Sequence, residues 1–260
     1  MAGTAKTSQV LLSTATVMIG PMAEVNSLTP EKHSIGLVKN VTYSADPEFR
    51  ELTQGITNDV VMSVKVGDGS RVAMEVYEYT ARNLAYAAGL DGTGAEFDTT
   101  STEYVTSAAP TTTSVAVSGS PTGISAGDFI YIQGGSDDLV HVAKVASVAT
   151  NTITLAAGYA IPAGMTFPAA SKVRKVKALN IGVQSPNVNL GVKITGLIDP
   201  SKNLPITLVF PKVKITRGMN LNFTTDNFGN MPFEFTPYSL VAGDALYNDF
   251  GTTKMRLLVA

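Results

Sequence analysis

Acid–base chemistry in this chain would have to come from carboxylates, because the sequence has no Cys and only two His. A pair of carboxylates on either side of a glycosidic bond can hydrolyse it, one as acid and the other as base or nucleophile. Glu75, Glu78 and Glu234 are the candidates for such a pair. Nothing in the sequence makes them converge, and no aromatic platform for a sugar accompanies them. Asp46, Glu48 and Glu51 supply oxygens that calcium accepts, but they do not follow the spacing of an EF-hand loop, and Arg50 lies among them. They read as a solvated segment with local ion pairs. His33 and His141 have no metal-ligand spacing. Gly67-Asp68-Gly69 lacks a Walker lysine and precedes a strand pattern rather than a helix, which argues against a phosphate cradle. The glycosylation triplets Asn40-Val41-Thr42 and Asn222-Phe223-Thr224 both fall in strand patterns. The expectation is a protein with no catalytic residues, no cofactor and no metal.

The elements around these residues follow from composition and periodicity. The chain has 260 residues, 44% of them hydrophobic, which suffices for one large core or two small ones. The missing Cys excludes a disulfide scaffold. A net charge of -2 with only 15% charged residues speaks against tight binding of nucleic acid, which needs clustered Lys and Arg. No apolar run reaches the ~18–20 residues of a membrane span. Lys6, the apolar stretch Val10–Ile19 and Pro21-Met22-Ala23 fit a signal peptide or a first strand.

Val60–Leu90 organises the rest. Val60, Met62, Val64 and Val66 alternate with Val61, Ser63 and Lys65, the period of a strand. Gly67–Ser70 reads as a hairpin turn into a second strand carrying Val72, Met74 and Val76. Thr80 is a helix cap, Leu84, Ala85 and Ala88 share one face, and Gly89 suits a left-handed end. Before this unit, Ser44–Asn58 reads as a long polar loop. After it, Asp91–Ser107 is a Gly/Thr/Ser connector, and Thr111–Lys172 is a nearly uncharged series of short strands. Leu204–Ile215 is a strong strand whose Pro211 demands an edge or a bulge. Met219–Asp226 and Met231–Tyr238 alternate cleanly. The prediction is a mainly β fold: a discontinuous core, 1–107 plus 176–260, with a small β-module inserted at 108–175.

Four stretches also resemble the tail tube (major tail) proteins of bacteriophages. They are Glu51-Leu52-Thr53-Gln54-Gly55, the strand-to-helix run Glu78–Gly89 with its Asn83-Leu84-Ala85, Leu204–Lys212, and Met231–Tyr238. They occur in family order and cover both outer parts of the chain, leaving 108–175 uncovered. The resemblance implies a β-sandwich or rolled barrel with one short flanking helix. It implies hexameric rings stacked into a tube for genome delivery, each subunit lending strands to an inner barrel. It implies partners among the other tail proteins (tape measure, terminator, baseplate, a sheath), passage of DNA without specific binding, no membrane, and a place in the virion tail after assembly in the host bacterial cytoplasm.

By the same resemblance, Glu48, Arg50, Glu51 and Leu52 are expected to contact a neighbouring subunit or ring. The polar rows Asn220, Asn222, Thr224, Asp226 and Glu234 (with Thr236) are candidates for a mildly acidic lumen. The inserted module is expected on the outer wall. Two other readings are a surface adhesin or carbohydrate-binding β-protein, and a virion decoration or baseplate protein. Self-assembly separates a tube protein from a lectin.

Overall fold

The computed structural model describes residues 15–54, 56, 58–92, 102–136, 138–182, 188–199, 204–221 and 229–259. The protein is mainly β, and its sheets are antiparallel throughout. It divides into two units, Met1–Phe97 with Ile181–Ala260, and Asp98–Asn180.

The first unit begins with β1 (Thr16–Pro21), a 3-10 turn (Met22–Ser27) and α1 (Pro30–His33). It continues with β2 (Val38–Ser44), β3 (Pro47–Gln54), β4 (Asp59–Asp68), β5 (Arg71–Val76) and α2 (Ala81–Ala87). The second unit holds β6 (Tyr104–Val105), β7 (Ser114–Ala116), β8 (Phe129–Gln133), β9 (Val140–Ala149), β10 (Thr152–Leu155) and β11 (Lys172–Val176). The chain then returns through β12 (Leu190–Asp199), β13 (Leu204–Arg217), β14 (Met231–Pro237), α3 (Tyr247–Phe250) and β15 (Arg256–Val259). The short turns α1 and α3 add to the single helix that the sequence predicts.

In the first unit, a 7-stranded sheet runs β1-β12-β13-β14-β5-β2, with β15 also on β13. β13 spans two neighbours: Ile206–Val209 pairs with β15, and Val213–Arg217 pairs with β14. Pro211 lies between these blocks. On the β12 side the register slips there, Leu190 facing Val213 while Val192 faces Phe210. This is the bulge that a proline without an N–H requires. It also sets the faces. Phe210 and Val213 both enter one core with Phe233, Phe235 and Met231. Without the extra residue, strict alternation would put Lys212 on the Phe210 face.

α2 closes one side of that core with Tyr86 and Ala87. Its start and stop are local. The Thr80 side chain accepts from the Asn83 N–H at 3.1 Å. At the other end, Leu90 N–H donates to the Ala85 carbonyl and Gly89 N–H to that of Tyr86, with Gly89 at φ +77, a Schellman end.

The second unit is a barrel of its own. Its six strands run β6-β11-β8-β9-β10-β7. The Thr106–Val117 bridge, with Ser107 N–H to Ala116 O and Ser118 N–H to Val105 O, joins the first strand to the last. Alternate residues, among them Val115, Ile130, Ile132, Ala143, Val145, Ile153 and Val173, fill the interior. The expected boundaries at 107/108 and 175/176 fall inside this unit, because β6 and β11 pair with each other as barrel strands.

Candidate functional site

β4 does not pair with β5, as the Gly67–Ser70 turn predicts. It pairs with β3 in a separate two-stranded ribbon, Pro47 opposite Asp68 and Gln54 opposite Asp59. β5 lies instead between β14 and β2. The expected loop Ser44–Asn58 is therefore mostly strand. The cause is positional: each strand supplies the other's backbone partners, so a polar β3 needs no core to pair. Gly67–Ser70 passes the chain from ribbon to sheet rather than folding one strand onto the next.

The expected contact residues Glu48, Arg50, Glu51 and Leu52 all lie on β3 and are exposed. They are the smaller part of this surface. Phe49, Leu52, Val60, Val61, Met62, Val64 and Val66 are 49–63% exposed, and Ile56, between the strands, is fully exposed. The apolar row of β4 thus faces solvent, not the core. β4 has ten residues, so the ribbon is about 33 Å long. An isolated two-stranded ribbon is marginal in water, and a flat apolar one invites pairing. Fully burying an aliphatic or aromatic side chain contributes ~1.5–3 kcal/mol. Covering the exposed halves of these eight side chains would contribute on the order of 6–12 kcal/mol gross, comparable to the ~4–15 kcal/mol that association costs.

The foot of the ribbon is fixed to the sheet. Gly69 N–H donates to the Asp46 carbonyl at 2.9 Å, and Lys254 Nζ to the Asp68 carbonyl at 2.9 Å. Lys65 pairs with Asp68 at 3.3 Å.

β2 is an edge of the large sheet. Its register slips between Lys39 and Thr42, and Asn40 there takes φ 53, a left-handed value that Asn tolerates. Beside this bulge a cleft of about 540 Å³ opens on the core-facing side of the sheet, lined by Val38, Val41 and Tyr43 of β2 and by Ile194 and Leu208 of β12 and β13. Lys39 borders the cleft, but its ammonium is on the other face of β2, opposite Glu75 and 4.8 Å from the centre of the Tyr77 ring.

The face of β14, β5 and β2 turned away from the core is polar. Glu234 is on it, opposite Ala73 on β5 and Arg217 on β13. Glu75 lies opposite Lys39. The Tyr77 hydroxyl donates to Glu75 at 2.9 Å, and this bond, with Asn40 and Asn230 next to it, holds the Glu75 carboxyl below its usual range. The same bond raises the Tyr77 hydroxyl. The charges on this face are mixed rather than acidic.

The lumen candidates on Met219–Asp226 fare differently. β13 continues to Arg217, and at Gly218 the chain leaves the sheet against α2, where an added Cβ would meet the Ala87 backbone at 2.7 Å. Asn220 is therefore exposed but off the sheet, a correction to its expected strand position. Asn222, Thr224 and Asp226 lie outside the described residues.

Of the possible catalytic carboxylates, Glu78 packs under Gly36, away from the Glu75–Tyr77 pair. His33 Nδ1 accepts the Thr29 N–H at 3.1 Å, and His141 Nε2 lies 3.1 Å from the Tyr159 carbonyl. Among the described residues, no three His, Asp or Glu side chains cluster as metal ligands. No helix among them is long and apolar enough to cross a membrane. No protein-family model matches the sequence, and no curated protein matches it.

Proposed function

We propose that this chain is a structural subunit that assembles with copies of itself into rings, and that the rings stack into the tube of a bacteriophage tail. The observation that carries this reading is the β3–β4 ribbon, which exposes eight large apolar side chains to solvent. A monomer gains nothing from such an arm; a repeating assembly buries it at every contact. The four stretches that resemble tail tube proteins all lie in the first unit: on β3, on the run into α2, on β13 and on β14. In this reading Glu48, Arg50, Glu51 and Leu52 meet a neighbouring subunit, and the polar face with Glu234 is the candidate lumen wall. DNA passes without specific binding. The tube ends meet other tail proteins (tape measure, terminator, baseplate and any sheath), and the assembly forms in the bacterial cytoplasm.

The test is negative-stain imaging of the purified protein beside Met62→Glu/Val64→Glu. Rings or tubes from the parent and dispersed particles from the variant support the reading. Dispersed particles from both at high concentration contradict it.

A further inference from the structure

We propose that the face of β13, β14, β5 and β2 turned away from the core makes loose, sequence-independent contacts to the phosphates of duplex DNA through Lys39, Arg71 and Arg217. The choice of DNA rests on the reading of this face as a lumen wall; the arrangement of charge does not depend on it.

Strand alternation sorts these residues by face. Val72, Met74, Val76, Met231, Phe233 and Phe235 enter the core, so their neighbours in sequence stand on the other side. Among the described residues of that side, the cations are Lys39 on β2, Arg71 on β5, and Lys214 and Arg217 on β13. The carboxylates are Glu75 on β5 and Glu234 on β14. Lys212 and Asp244, at 2.8 Å, neutralise each other. The face thus carries a net of +2 in a chain whose net charge is -2.

The two signs are not equally presented. Lys39, Arg71 and Arg217 are exposed, whereas Glu75 and Glu234 are half-buried. Glu75 is engaged within the face, where the Tyr77 hydroxyl donates to it at 2.9 Å and Lys39 lies opposite. Glu234 lies opposite Arg217. A polymer approaching the face meets the cations first.

Hydroxyls accompany them. Arg71 lies opposite Ser44 and donates from Nε to its Oγ at 3.4 Å, and Lys214 lies opposite Thr236. Ala73, between Thr42 and Glu234, keeps the middle of the face free of bulk. β14 separates β5 from β13, so Arg71 stands two strand spacings, ~10 Å, from the strand that carries Lys214 and Arg217. Duplex DNA presents one charge per ~1.7 Å of its axis, so a single duplex on the face reaches all of these groups. Arg, Lys and hydroxyl side chains are the donors that contact phosphate without reading sequence.

The number of exposed cations sets the strength. Neutralising about three phosphates gives a log–log salt slope of about -2.7, a loss of about fortyfold between roughly 50 and 200 mM salt. Such attachment is loose enough for a duplex to move past.

The test is fluorescence anisotropy of a labelled duplex of about 20 base pairs, titrated with protein from about 20 to 200 mM salt. Arg71→Gln/Arg217→Gln is compared with the parent and with Lys32→Gln/Lys172→Gln. That control removes as much charge from exposed positions on α1 and on β11 of the second unit. The parent and the control should share a slope of about -3, and Arg71→Gln/Arg217→Gln should fall to about -1, with affinity in the lowest salt weaker by about tenfold or more. Circular dichroism should be alike in all three. No binding by the parent in the lowest salt overturns the inference. An equal loss in the control also overturns it, because the DNA then answers to net charge and not to this face. Polyglutamate that competes as well as unlabelled duplex at equal charge overturns the choice of DNA in favour of an acidic polypeptide. The tube reading is judged separately. Rings or tubes that ignore DNA remove this inference alone, and DNA binding through these residues by a protein that sediments only as a 27.2 kDa species removes the tube reading alone.

Discussion

The amide of Gly69 donates to the carbonyl of Asp46 at 2.9 Å, and that bond joins the two places where the chain enters and leaves the β3–β4 ribbon. Above it β3 and β4 pair with each other, and every described residue from Pro47 to Val66 is exposed. Below it β2 and β5 are locked in the large sheet. The ribbon is thus an appendage on a rigid foot, and changes along it should alter association without altering the fold.

Met62→Glu/Val64→Glu carries that expectation into stability. Both side chains are more than 45% exposed, and surface substitutions of this kind usually stay within about ±0.5 kcal/mol. Urea unfolding should give parent-like midpoints for the dispersed variant. A midpoint drop equivalent to ~2 kcal/mol or more would show that the ribbon contributes to the fold of its own chain.

Arg50→Glu is the milder case. Arg50 faces Val64 across the ribbon and is exposed. Reversing one rim charge changes register and association rate more than overall affinity. Shorter tubes with intact rings are expected in micrographs; tubes of normal length would exclude Arg50 from the stacking contact.

Asn83 should matter for folding. It is buried, and its amide donates to the Ile35 carbonyl at 2.9 Å and the Glu78 carbonyl at 2.8 Å. Asn83→Ala orphans both carbonyls, and each lost buried bond costs about 1–3 kcal/mol. Thr80→Ala removes only the cap, worth ~1 kcal/mol. Thermal unfolding should therefore rank Asn83→Ala well below Thr80→Ala, with both below the parent.

Acid should destabilise the first unit through Asp244. Lys212 Nζ at 2.8 Å and the Val241 N–H at 2.9 Å both donate to its carboxylate and hold its pKa below the usual value. A group depressed in the folded state binds fewer protons there than when unfolded, so stability rises with pH across its titration. The contribution is fully present above about pH 4, near the unperturbed aspartate value of ~3.9, and is lost as pH falls through the lower folded value. Asp244→Asn should be less stable than the parent at pH 7 and lose less on going to pH 3. Equal losses in the two proteins would remove Asp244 from the account.

The second unit can be removed as a block. Its entry and exit strands are neighbours, Tyr104 facing Val173 and Val105 facing Lys172, so a short linker can span the gap. A chain in which a Gly/Ser linker replaces residues 98–180 should fold and still assemble. Insoluble protein would show that the first unit needs the second.

Much of this was legible in the sequence where the signal is local. Thr80 and Gly89 mark the start and end of α2 because capping involves residues within a few positions. Pro211 announced an edge or a bulge because a missing N–H must be accommodated wherever the strand pairs. Phe233 and Phe235 marked β14 by alternation. The ribbon was hidden for the opposite reason. Alternation of Val60, Met62, Val64 and Val66 identifies a strand but not whether its apolar row meets a core or solvent, and β3 and β5 both join β4 through short connections, so spacing does not choose between them. The position of Asn220 failed likewise: its alternation continues past Gly218, where packing against Ala87 takes the chain off the sheet.

The particle mass of the purified protein, measured by sedimentation velocity over a wide concentration range, tests the central claim most directly. Association through the ribbon predicts species several-fold heavier than the 27.2 kDa chain, growing with concentration and collapsing to that mass in Met62→Glu/Val64→Glu. A parent protein that sediments as a single 27.2 kDa species at every concentration would contradict it.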